Sequence, residues 1–107
     1  MSLLKSFQPT YGAGQTQTGA AASASYVCDA AVKRSGGGNK TIVVTNNDTT
    51  NPVYVRIGQG TQVASIADYE VLAGSKESLS KSEMDDQIAI IAPAGSPSVH
   101  FIVGEGF

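Results

Sequence analysis

Residues 41–58 read TIVVTNNDTTNPVYVRIG, two β-branched runs around a polar loop. In TIVVTN (41–46), Ile42 and Val44 fall on one side. In PVYVRIG (52–58), Val53, Val55 and Ile57 alternate with Tyr54 and Arg56. Successive side chains of an extended chain point to opposite faces, so this period of two marks strands with one face buried. The loop NDTTNP supplies turn chemistry, and the two runs predict a β-hairpin whose five-or-six-residue connection is longer than a tight Asn-Gly turn.

The same punctuation continues on both sides. Upstream, SYVCDAAVK puts Tyr26, Cys28, Ala30 and Val32 on one face, before the glycine loop SGGGN (35–39). Downstream come TQVASI (61–66), DYEVL (68–72) and the short ESLSK (77–81), which has the look of an edge strand. QIAIIAP (87–93) is nearly continuous apolar, as in a central strand covered on both faces. SVHFIVG (98–104) sets Val99, Phe101 and Val103 against His100 and Ile102. No segment has a helical period, and KSEMDD (81–86) has room for one turn. Seven or eight short antiparallel strands at this spacing predict an all-β fold, a small sandwich or jelly-roll-like barrel over residues 25–107.

Residues 1–24 differ in composition. GAGQTQTGAAASA is small, polar and uncharged, and such a stretch buries too little apolar surface to offset the entropy of ordering. The expectation is a flexible N-terminal arm over residues 1–24, with Leu3, Leu4, Phe7 and Tyr11 as apolar anchors for a partner. Extended, it reaches at most roughly 70 Å, well beyond a domain whose radius of gyration would be about 12 Å.

Composition narrows the function. With a net charge of −2 and seven scattered Lys and Arg, the chain lacks the basic patch that nucleic-acid binding requires. No run reaches the length of a membrane span, and the N-terminus has no continuous apolar signal region. One cysteine and one histidine cannot assemble the usual zinc site. Charged residues make up only 15% of the chain, so copies repel one another little, which suits a protein packed in an assembly.

The candidates for chemistry each have a plainer structural role. His100 lies in an alternating strand, with no serine in a nucleophile-elbow context. Glu83, Asp85 and Asp86 crowd one turn and lack the ligand spacing of a calcium loop. Cys28 shares an apolar face with Tyr26, as a buried thiol does. Neither Gly58-Gln59-Gly60 nor Gly36-Gly37-Gly38 opens a helix after a strand, so neither is a phosphate cradle, and no cofactor motif is present. Tyr54 and Arg56 project from the outward face of their strand, and residues of this kind are enriched at protein interfaces.

From about residue 41 to the end, the chain resembles a group of small structural proteins of tailed bacteriophages and prophages. TIVVTNNDTTNPVYVRIGQGT, ADYEVLAGSKESLSK and DDQIAIIAPAGSPSVHFIVGEGF, with its closing Gly-Glu-Gly-aromatic, carry the resemblance. It implies a β-sandwich or jelly-roll virion protein, a capsid decoration (cement) protein seated on the shell of major capsid proteins. The family has no catalytic residues to carry over. The expectation is thus a non-enzymatic homo-oligomer, dimer or trimer, that binds and stabilises the shell, its arm ordering on neighbouring subunits. It would reside in a virion assembled in the bacterial cytoplasm. A neck or tail adaptor, or a small fibre or carbohydrate-binding module, is the alternative within the same kind of particle, and an enzyme using His100 is the third reading.

Overall fold

The computed structural model describes residues 7–29, 40–82 and 84–105. They form nine strands: β1 (Gln8–Pro9), β2 (Gln15–Thr18), β3 (Ala24–Val27), β4 (Lys40–Asn46), β5 (Val53–Gly58), β6 (Tyr69–Val71), β7 (Lys76–Lys81), β8 (Gln87–Ile91) and β9 (Ser98–Glu105). A five-stranded sheet has the order β1-β9-β4-β7, with β2 also on β9, and a four-stranded sheet has the order β3-β8-β5-β6. All pairings are antiparallel. The fold is an all-β sandwich.

Alternation places the core. Ile42, Val44, Val99, Phe101 and Val103 from one sheet meet Val53, Val55, Val71, Ile88 and Ile90 from the other, all buried. Tyr26 lies against Phe101 with ring centroids 6.2 Å apart. Cys28 is buried on this side, as its face predicts, whereas Ala30 and Val32 lie outside the described residues.

One expectation is overturned. The runs of residues 41–58 are both strands, yet they do not pair: β4 bonds to β7 and β9, while β5 bonds to β6 and β8. The loop between them is a crossover from one sheet to the other. Buried Asn46 organises it, its Nδ2 donating to the carbonyls of Asn51 (2.9 Å) and Val71 (3.1 Å) and its Oδ1 accepting from the Asp48 amide (3.0 Å). A period of two reports which side of a strand is buried, and says nothing of which strand lies beside it.

Part of the stretch expected as an arm is paired in the sheet. Gln8–Pro9 and Gln15–Thr18 run along β9 and complete the five-stranded sheet, with a three-residue register shift between them where Tyr11 and Gly12 bulge into solvent. Pairing on a sheet edge uses main-chain groups that every residue but proline carries whole, so it does not need apolar side chains. The Gln15 side-chain amide also donates across the sandwich to the Val27 carbonyl. Residues 1–6, with Leu3 and Leu4, lie outside the described residues.

The opposite side of the sandwich is closed by Tyr69 of β6, whose hydroxyl donates to Glu77 Oε1 of β7 at 3.0 Å. At the end of β7, the Lys81 side chain is fully buried. Its ammonium bonds to Asp29 Oδ2 (3.0 Å) and to the carbonyls of Ser82 (2.9 Å) and Asp85 (2.7 Å), so three donors find three acceptors. Lys40 reaches the same Asp29 oxygen at 3.2 Å.

Candidate functional site

The outer face of the four-stranded sheet is built around two small residues. Arg56 pairs with Ala89 and Gly58 with Gln87, while Ser25 and Val27 lie beyond them on β3. Ala89 and Gly58 leave a trough, and the segment after β5 crosses it to reach β3. The Gln62 amide donates to Ser25 Oγ (3.2 Å) and the Ala64 amide to Ser23 Oγ (2.8 Å). A methyl group at Gly58 would lie 2.5 Å from the end of the Gln62 side chain, so the Gln62 amide group sits directly over the glycine. TQVASI is therefore a strap and not the strand its β-branched residues suggest. Its cover explains why QIAII is buried on both faces: Ala89 is sealed beneath it.

The far end of the strap is equally fixed. The Ser65 amide donates to Asp68 Oδ2 (2.8 Å), the Asp68 amide to the Ser65 carbonyl (3.0 Å) and the Ala67 amide to Ser65 Oγ (3.2 Å). Arg56 ties both ends, its Nε donating to Gln62 Oε1 (3.2 Å) and its Nη1 lying 3.4 Å from Asp68 Oδ1. This framework holds Val63 and Ile66 outward, 73% and 68% exposed, on the face that also shows Val27. Val63 and Ile66 thus make an exposed apolar ridge along the strap.

Tyr54 and Arg56 lie on this outer face, and their polar ends are engaged. The Tyr54 hydroxyl donates to Glu70 Oε2 at 3.0 Å, and that bond, with minor burial, raises the phenol's pKa above its ordinary value. Both residues brace the ridge. Phe7 and Tyr11 belong to the other sheet and are not brought together with them: Phe7 is half-buried beside its own sheet and Tyr11 is fully in solvent. Val27, Val63 and Ile66 were missed from sequence, although the Ser65-to-Asp68 spacing carries the signal of a side-chain-capped turn.

The candidates for chemistry hold structural places. Asp85 Oδ2 accepts from the Ser82 amide (3.0 Å), and Asp86 Oδ1 accepts from Gly60, at the start of the strap (2.9 Å). Glu83 lies outside the described residues. Burial pushes the Cys28 thiol up to about 11, which leaves it protonated and unreactive near neutrality. No group of three His, Cys, Asp or Glu side chains is placed to hold a metal among the described residues. His100 faces outward over the five-stranded sheet, in a groove with Phe7, Pro9, Val43 and Ile102. No protein-family model matches this chain, and no curated protein matches it either.

Proposed function

We propose that the chain is a non-enzymatic structural protein of a tailed-bacteriophage particle, a decoration protein that binds and stabilises the capsid shell through its strapped face. The phage assignment rests on the resemblance of the chain from about residue 41 onward. The choice of face rests on one observation: Val63 and Ile66 are held in solvent by a strap anchored to Ser23, Ser25, Arg56 and Asp68. A segment that only joined β5 to β6 would not need such anchoring. Burying each of these side chains against a partner is worth about 1.5–3 kcal/mol before ordering costs, and the strap is already ordered.

Sheet edges are poorer candidates. β6 has only three residues, and β7 turns the charged side chains of Glu77 and Lys81 inward, a pattern that discourages strand addition. The major capsid protein is the partner that fits, since a repeating shell offers the apolar ridge many equivalent sites.

Co-sedimentation of the purified protein with phage heads lacking it tests this reading. Saturable binding at a fixed ratio to the capsid protein, with heads that withstand a higher temperature, is expected. Failure to bind intact heads would overturn it and direct attention to the neck, the tail or glycans.

A further inference from the structure

The outer face of the five-stranded sheet, on the other side of the molecule, carries a groove of about 400 Å³. Register lays two rows of side chains across β7, β4 and β9. Lys76 is opposite Thr45, and Thr45 opposite His100; beside them, Ser78 is opposite Val43, and Val43 opposite Ile102. Phe7 and Pro9 wall the apolar end. Gly14 closes in on His100, where an added methyl group would lie 2.8 Å from Nε2. The result is a hollow with Lys76, Thr45 and His100 in one row and, in the other, the aliphatic floor of Val43 and Ile102 ending at Ser78.

Among the described residues, the charge lining this hollow has one sign. No carboxylate lines it, and Lys76 forms no ion pair among the described residues. A volume of this size suits a small organic molecule. An anion alone would leave the floor of Val43 and Ile102 wet, and an apolar molecule alone would leave Lys76 unmatched.

We propose that this groove binds a small amphipathic carboxylate, an aryl or short acyl acid. Its apolar body lies on Val43 and Ile102 against Phe7, and its carboxylate meets the Lys76 ammonium, with the hydroxyls of Thr45, opposite Lys76, and of Ser78, two residues along the same strand as Lys76, as further donors. The site is independent of the strapped face and of capsid binding.

Titration of the full chain with phenylacetate, followed by amide chemical shifts, tests the proposal. Saturable shifts confined to Val43, Thr45, Lys76, Ser78, His100 and Ile102 are expected, with weaker binding of phenylethanol, which lacks the charge, and of acetate, which lacks the ring. Lys76→Gln, a change at an exposed side chain, should weaken phenylacetate by about two- to fivefold, the range that an exposed charge pair supplies, and leave phenylethanol unchanged. Shifts that are scattered or never saturate overturn the proposal. So does phenylethanol binding as tightly as phenylacetate, or Lys76→Gln binding phenylacetate like the parent.

Discussion

Asn46 and Val71 belong to opposite sheets, and the Asn46 side-chain amide donates to the Val71 carbonyl at 3.1 Å inside the sandwich. The same residue holds the crossover through Asn51 and Asp48, and its own main chain bonds to Ser75 and Gly74. Its substitution by alanine strips partners from buried carbonyls on both sides of the crossover. Asn46→Ala is expected to lower the stability by about 2–3 kcal/mol in urea unfolding, and Asn46→Asp, which cannot donate, by no less.

The buried ion cluster gives a second prediction. Lys81→Met leaves Asp29 in the interior with only Lys40 as counter-charge and should cost about 3 kcal/mol. Burial raises the pKa of Asp29, but the hydrogen bonds from Lys81 and then Lys40 outweigh it and hold the carboxyl below its ordinary value. A depressed folded-state pKa contributes stability that is complete above the unfolded value, about 3.9, and is lost as pH falls below it. Unfolding midpoints measured against pH should therefore drop below about pH 4, and Asp29→Asn should flatten that acid limb.

Ser23 and Ser25 hold the strap. With Ser23→Ala and Ser25→Ala together, the amides of Gln62 and Ala64 lose their acceptors. Hydrogen exchange should accelerate at these two amides, while global stability falls by about 1 kcal/mol for each hydroxyl removed. Unchanged protection at Gln62 and Ala64 would show that the hydroxyls do not anchor the strap.

Deletion of residues 1–18 separates an edge strand from a detachable arm. The deletion uncovers the β9 edge along Ser98–Phe101 and Gly104–Glu105. The expected outcome is a lower urea midpoint and a greater tendency to aggregate. A tail that only waits for a partner would leave the midpoint unchanged.

Burial was legible in the sequence, and neighbours were not. Alternation at Ile42/Val44, Val53/Val55 and Val99/Phe101/Val103 named the core correctly, because a side-chain period is a property of one strand. Pairing of β4 with β9 joins residues more than fifty positions apart, and nothing local in TIVVTN specifies that partner. QTQT was passed over because its contribution to the sheet is main-chain hydrogen bonding, to which composition is blind. TQVASI misled in the other direction: Val63 and Ile66 are β-branched, but they stand in solvent on the strap. At the candidate site, Tyr54 and Arg56 could be read from their strand, whereas the ridge they brace depends on Ser25 meeting Gln62 across the sheet.

The most direct test of the account compares saturation binding to phage heads for the parent chain and for Val63→Ser/Ile66→Ser. Both side chains are in solvent, so the double variant should unfold like the parent. Loss of two apolar contacts predicts binding weaker by at least about tenfold. Equal binding by a folded double variant would contradict the claim that the strapped face is the contact surface.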